Sequence, residues 1–100
     1  RRITKRKALP KKHTFYYFYI PNCKYCKKVQ GSWDKLKKKS PYKDVSYKKM
    51  NGRSFKNREY VDKYNVTSYP TFVLETDKDT HTYEGNRTYS DMKKFIKEYK

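Results

Sequence analysis

Two cysteines, Cys23 and Cys26, are the residues whose type and spacing best suit covalent chemistry in this chain. They are its only cysteines, and they follow an aromatic and β-branched run at residues 15–20 that has the length of a buried strand. Pro21 ends that strand and Asn22 is a good N-cap, so we expect a helix from Cys23 onward. Unpaired N–H groups at a helix N-terminus favour a thiolate. The pattern therefore predicts thiol–disulfide exchange.

Lysines surround the cysteine pair. Lys24 lies between the two cysteines, and Lys27 and Lys28 directly follow the second one. Positive charge close to a thiol favours its ionised form. We therefore expect Lys24 and Lys27 to lower the pKa of the Cys23 thiol.

Two other roles for the cysteine pair stay open. A structural zinc site needs four ligands, and only His13 and His81 remain as further His or Cys residues. A purely structural disulfide between Cys23 and Cys26 would close a very short loop and would stabilise the fold little. We therefore expect redox chemistry, with no metal and no cofactor.

The charge of the chain favours acidic partners. Its 27 basic and 10 acidic residues give a net charge of +17 over 100 residues, and a field of that sign attracts nucleic acid, anionic membranes or acidic proteins. The alternative is compositional drift, because lysines occur in every segment and arginine, the preferred ligand of phosphate, is the minor basic residue. No apolar run approaches the ~20 residues of a membrane span, so we expect no transmembrane segment.

The basic residues at the start of the chain suggest a division into two parts. Residues 1–12 carry seven positive charges and no acid, so we expect residues 1–13 to form a basic arm or linker, with His13 an ordinary surface residue. Residues 14–100 are long enough for one domain with a small core. Because the sequence begins with Arg, we expect it to be part of a longer chain. The compartment stays open between the cytoplasm and a virion or organelle lumen.

The remaining pattern predicts alternating strands and helices. Strands are expected at 15–20, 45–51, 71–75 and 80–84, and helices at 23–39, 54–64 and 90–99. A helix between the first two strands makes them parallel, whereas the turn at 77–79 makes the last two an antiparallel hairpin. The predicted fold class is α/β, with a four-stranded mixed sheet and helices on both faces.

This order of elements resembles the thioredoxin superfamily over about residues 14–99. The resemblance rests on Cys-Lys-Tyr-Cys after the first strand, Tyr69-Pro70-Thr71 before the third, and Gly85 after the hairpin. It implies a thioredoxin-like fold in which Cys23 attacks a substrate disulfide and Cys26 resolves the mixed disulfide.

The same resemblance implies how substrates bind. Pro70 would be a cis-proline that faces the cysteines, and the Tyr69 backbone would pair with an extended substrate. Tyr25, between the cysteines, would also contact the substrate. The implied partners are proteins that carry disulfides or dithiols, together with an unidentified redox partner.

The sequence also departs from the family pattern. Thioredoxins keep a buried acid six residues before the first cysteine, where this chain has Tyr17, so Glu59 or a water would have to assist Cys26. Glutaredoxins are similar too, but Asn86 after Gly85 interrupts their glutathione-binding loop. The alternative function is a redox-inactive binding module for an acidic partner or nucleic acid. The direction of electron flow is not predicted.

Overall fold

The computed structural model describes residues 12–100; residues 1–11, which hold most of the predicted basic arm, lie outside the described part. Along the chain the elements are β1 (His13–Tyr19), α1 (Lys24–Lys39), β2 (Val45–Asn51), a short 3-10 helix (Phe55–Asn57), α2 (Arg58–Lys63), β3 (Thr71–Glu75), β4 (Thr80–Tyr83) and α3 (Tyr89–Tyr99). The predicted alternation of strands and helices is confirmed. Within residues 12–100, no helix has both the length and the apolar composition needed to cross a bilayer.

The four strands form one mixed sheet in the order β2-β1-β3-β4, as predicted. β1 and β2 are parallel because α1 connects them, and Tyr19 at the end of β1 lies beside Asn51 at the end of β2. β3 is antiparallel to β1, and β4 is antiparallel to β3. The ends of β1, β2 and β4 and the start of β3 therefore lie together. We call this the cysteine end of the sheet, because Cys23 follows β1 there.

The central strand β1 is buried on both faces, which explains its almost continuous aromatic sequence. Phe15 and Tyr17 point to one face and Tyr16 and Phe18 to the other. The first face is covered by α1 and α3, through a cluster that includes Val29, Trp33, Leu36, Val45, Phe72, Leu74, Met92 and Ile96. The second face is covered by α2 and its flanks, with Met50, Tyr64, Val66 and Val73. Helices on both faces of the sheet are thus confirmed.

The helices differ slightly from the prediction: α1 and α3 each start one residue away from the predicted position, and the helix predicted at 54–64 is divided into the 3-10 helix and α2. Asn22 adopts a left-handed conformation with φ of 61°, which asparagine tolerates, and Cys23 takes the N-cap position in its place. Thr88 caps α3, because its hydroxyl accepts a hydrogen bond from the Asp91 N–H at 3.2 Å, and α3 therefore starts at Tyr89.

His13 was expected to be a surface residue, and this expectation was wrong. The strand β1 begins at His13, whose backbone N–H donates to the Asp44 carbonyl at 3.1 Å. Its side chain is 5% exposed, and Nε2 lies 3.6 Å from Oδ2 of Asp44. The pairing of β1 with β2 therefore starts one residue earlier than the boundary at residue 14.

Candidate active site

The cysteine pair lies where α1 begins, at the cysteine end of the sheet. Cys23 and Cys26 form a disulfide, with their Cα atoms 5.1 Å apart. Cys23 Sγ accepts a hydrogen bond from the Cys26 backbone N–H at 3.2 Å, which is the contact of an N-cap. Cys23 is half-buried, whereas Cys26 is 5% exposed. An attacking group must be reachable, so Cys23 is the better placed of the two for attack on an external disulfide.

The first turn of α1, at whose N-cap Cys23 lies, carries positive charge. The first turn of α1 contains no acidic residue, and the side chains of Lys24 and Lys27 are exposed beside the cysteines. The Lys27 backbone N–H donates to the Cys23 carbonyl at 3.1 Å, so the helix is formed from its first turn. The positive end of the helix dipole therefore lies at Cys23.

Tyr17 occupies the space beneath Cys26. Its side chain is fully buried, and its hydroxyl donates to the Cys26 carbonyl at 3.0 Å. Burial, with smaller effects from neighbouring Tyr19 and Asp34, raises the pKa of Tyr17 to about 12. Tyr17 therefore stays neutral near pH 7 and supports the first turn of α1 without supplying a base.

Glu59, which the sequence suggested as a substitute for the missing acid, lies elsewhere. It belongs to α2, which covers the face of the sheet occupied by Tyr16 and Phe18, whereas Tyr17 points to the face covered by α1. The cleft beside the disulfide, about 350 Å³, is lined by Tyr17, Tyr19, Ile20, Pro21, Asn22, Cys23, Cys26, Lys27, Gln30 and Lys49. We call it the disulfide cleft. Among residues 12–100, no carboxylate lines this cleft.

Tyr69 and Pro70 lie at the same end of the sheet as the cysteines. The peptide bond between them is cis, and Pro70 is buried directly before β3. In the register of β1 with β3, Thr71 lies beside Phe18, so Pro70 lies level with the last residues of β1. The structure thus brings the segment containing Pro70 to the cysteine end.

Two further clefts extend from Pro70 to Tyr25, one of the two residues between the cysteines. The proline cleft, about 460 Å³, is lined by Pro70, Thr71, Glu84, Gly85 and Arg87 among others. The tyrosine cleft, about 410 Å³, is lined by Tyr25, Lys28, Val29, Gly85, Asn86, Arg87 and Thr88. Gly85 and Arg87 belong to both, so the two clefts adjoin. Tyr25 is 57% exposed and is available to a bound molecule.

Sequence reasoning missed the contact between Gly52 and Tyr69. A Cβ atom added to Gly52 would overlap the Tyr69 ring, and the Gly52 N–H donates to the Tyr19 carbonyl at 2.7 Å. Gly52 therefore joins the ends of β1 and β2 to the residue before Pro70. The Asn51-Gly52 pair indicated only a turn, because the partner of a close approach cannot be deduced from one sequence.

Lys49 was also missed as a site residue. It lies in β2 beside Tyr17, and its Nζ is 4.6 Å from the centroid of the Tyr19 ring. Its position in the disulfide cleft was not predicted because the sequence pattern shows which strand a residue occupies but not which cleft it lines. Within residues 12–100, no three His, Cys, Asp or Glu side chains come together as a metal site would require.

A disulfide at the start of a helix, after the central strand of a four-stranded mixed sheet, defines the thioredoxin-like class of proteins. The comparisons agree with this class. The family model named Thioredoxin matches residues 4–98, and the chain therefore belongs to the thioredoxin family.

The chain is also similar to part of two protein disulfide isomerases. The chain is 36% identical to protein disulfide isomerase-like 2-2 of Oryza sativa subsp. japonica over 84 residues, which is 81% of this chain and 22% of that protein. It is 32% identical over 80 residues to human protein disulfide-isomerase TMX3, covering 78% of this chain and 17% of that protein. The chain thus spans about a fifth of the length of these relatives.

A solved thioredoxin structure is similar to this chain in fold over most of the length of both chains. The X-ray structure of Fasciola hepatica thioredoxin superposes with a TM-score of 0.71 at 24% identity, covering 91% of this chain and 84% of that one. This likeness supports the fold. The family as a whole supports thiol–disulfide oxidoreductase chemistry in general.

Proposed function

We propose that this protein exchanges disulfides with protein substrates through Cys23 and Cys26. The observation that carries the proposal is the position of the pair, with the more accessible Cys23 as N-cap of a helix whose first turn holds lysines and no acid. A thiolate in that position is stabilised but remains nucleophilic. Membership of the thioredoxin family supports the same chemistry.

The exchange proceeds in two displacements. The Cys23 thiolate attacks one sulfur of a substrate disulfide, so that a mixed disulfide forms and the other substrate sulfur leaves as a thiolate. The Cys26 thiolate then attacks Cys23 Sγ, which releases the second substrate sulfur and leaves the Cys23–Cys26 disulfide. Two electrons pass from the protein to the substrate, and the reverse sequence oxidises a substrate dithiol.

Substrate docking is assigned to Tyr69, Pro70 and Tyr25. The position of Pro70 level with the end of β1 and the adjoining proline and tyrosine clefts support this assignment. An extended segment in these clefts would run past Tyr25 and hydrogen-bond to the Tyr69 backbone, as a strand added to a sheet does. Lys24 and Lys27 stabilise the Cys23 thiolate by charge.

The two cysteines have different roles, which trapping can separate. A Cys26→Ser variant, given a disulfide-bonded peptide, should accumulate a mixed disulfide at Cys23 that is visible by mass spectrometry. A Cys23→Ser variant should accumulate none and should not turn over substrate, because Cys26 is 5% exposed. Turnover by Cys23→Ser would overturn the assignment.

The alternative, a redox-inactive binding module, makes a different prediction. Such a module would bind an acidic protein or nucleic acid equally well in the Cys23→Ser/Cys26→Ser double variant. It would show no turnover of any disulfide in the unmodified protein. Affinity for nucleic acid would fall steeply with salt.

A further inference from the structure

Acidic residues gather at the end of the sheet opposite the cysteines, where Lys12, Lys78 and Lys100 also lie. Four of the ten acidic residues lie at the end opposite the cysteines: Asp44 precedes β2, Glu75 ends β3, and Asp77 and Asp79 lie in the turn between β3 and β4. The register confirms this position for Glu75, which lies beside Thr14 near the start of β1. The fold therefore places much of its negative charge away from the disulfide.

The cysteine end is basic where a substrate would lie. Lys27 and Lys49 line the disulfide cleft, and Lys28 and Arg87 line the tyrosine cleft, neither of which has an acidic residue in its lining. The proline cleft adds Glu84, opposed there by Arg87. The basic residues come from α1, β2 and the segment before α3, so the fold assembles them from three parts of the chain.

These four side chains form no ion pair with any residue in the described part of the chain. Among residues 12–100 the ion pairs join Asp44 to His13 and Lys100, Asp62 to Arg58, and Glu75 to Lys63, so none involves the basic residues of the clefts.

Aromatic rings hold two of them in place. Lys28 Nζ lies 5.5 Å from the Tyr25 ring centroid, and Lys49 Nζ lies 4.6 Å from that of Tyr19. An ammonium group over a ring keeps its hydrogen-bond donors free for a carboxylate.

We propose that the substrates are proteins whose disulfide is flanked by aspartate or glutamate residues. This inference rests on the proposed function and specifies its substrate class. Acidic residues on either side of the substrate cysteine would contact Lys27 and Lys49 in one cleft and Lys28 and Arg87 in another. The positive field of the whole chain also speeds the encounter with such substrates.

Three disulfide-bonded peptides of equal length test the substrate class, with acidic, neutral or basic residues flanking the cysteines. Glutathione at one fixed concentration reduces the Cys23–Cys26 disulfide after each turnover. Bis(2-hydroxyethyl) disulfide serves as a small uncharged reference. We expect kcat/KM to be about tenfold or more higher for the acidic than for the basic peptide at low salt, and the ratio to shrink as salt is added. Equal kcat/KM values for the three peptides would overturn the inference.

A matched pair of variants separates the clefts from the overall charge. The Lys28→Glu/Arg87→Glu variant should lower the ratio of kcat/KM for the acidic over the neutral peptide by about tenfold. Lys78→Glu/Lys97→Glu changes the net charge equally at the opposite end, where Lys78 lies in the β3–β4 turn and Lys97 near the end of α3, and should change the ratio much less. Equal losses in both variants would assign the preference to net charge and refute a role for the clefts.

Failure of the inference is distinguishable from failure of the proposed function. If the unmodified protein reduces bis(2-hydroxyethyl) disulfide but does not discriminate among the peptides, only the substrate class is wrong. If it reduces neither the small disulfide nor any peptide, the oxidoreductase proposal itself is wrong.

Discussion

Replacing Tyr17 with phenylalanine tests how the fold supports the cysteine pair. The change keeps the ring, which packs 5.0 Å from the Phe72 centroid and 5.3 Å from that of Trp33, and removes only the hydroxyl that donates to the Cys26 carbonyl at 3.0 Å. A buried hydrogen bond of this kind contributes about 1 kcal/mol. For a domain of this size, that loss lowers Tm by about 4–8 °C.

The same variant tests whether Tyr17 takes part in proton transfer. Because the pKa of Tyr17 is raised to about 12, the hydroxyl carries no charge at the pH where thiols exchange. We expect the pH dependence of Cys26 alkylation in the reduced protein to keep its midpoint in Tyr17→Phe, while urea unfolding shows the stability loss. A shifted midpoint would show that Tyr17 titrates with the thiols.

A matched tyrosine elsewhere provides the control for stability. Tyr99 is 41% exposed at the end of α3, and Tyr99→Phe should change the free energy of unfolding by no more than about 0.5 kcal/mol. If Tyr17→Phe is as stable as Tyr99→Phe, the hydrogen bond to Cys26 contributes nothing and the argument for support of the first turn fails.

Three further predictions concern charge, close contact and alkali. Lys24→Glu should raise the pKa of the reduced Cys23 thiol by about one unit, because reversing a unit charge ~6 Å from another in water changes their interaction energy by about 1.4 kcal/mol. The pH dependence of iodoacetamide alkylation measures this pKa. An unchanged midpoint of alkylation would contradict the prediction. Gly52→Ala should displace the Tyr69 ring and lower kcat/KM for peptide disulfides about fivefold, which corresponds to about 1 kcal/mol. The kcat/KM for bis(2-hydroxyethyl) disulfide should not change. Equal losses of kcat/KM for both kinds of substrate would indicate a general disturbance of the fold. Burial raises the pKa of Tyr47 to about 12, so the contribution of the protonated Tyr47 to stability is complete below about pH 10 and is lost as pH rises through about 12. Over this pH range, the midpoint of urea unfolding should therefore fall less in Tyr47→Phe than in the unmodified protein.

The order of elements followed from the sequence because each signal was local. The apolar run at residues 15–20 fits only a strand buried on both faces, and the Val29, Trp33 and Leu36 spacing fits only a helix with one buried stripe. Pro70 before an apolar run indicated the start or the edge of a strand. These constraints, taken together, determine a mixed sheet with helices on both faces.

Contacts between distant segments could not be deduced in the same way. The N-cap position of Cys23 depends on the left-handed conformation of Asn22, which the residue type permits but does not require. The burial of His13 depends on where β2 begins to pair, and the place of Gly52 depends on the rotamer of Tyr69. Each involves a partner that periodicity and composition do not identify.

The most direct test of the central claim is an equilibrium titration of Cys23 and Cys26 in glutathione redox buffers. Free thiols would be trapped by alkylation and counted by mass. We expect one reversible two-electron transition between dithiol and internal disulfide, with a potential less negative than the roughly −270 mV of a reducing thioredoxin, because the stabilised thiolate favours the reduced form. If the two cysteines never form an internal disulfide, they are not a redox pair and the proposed function is wrong.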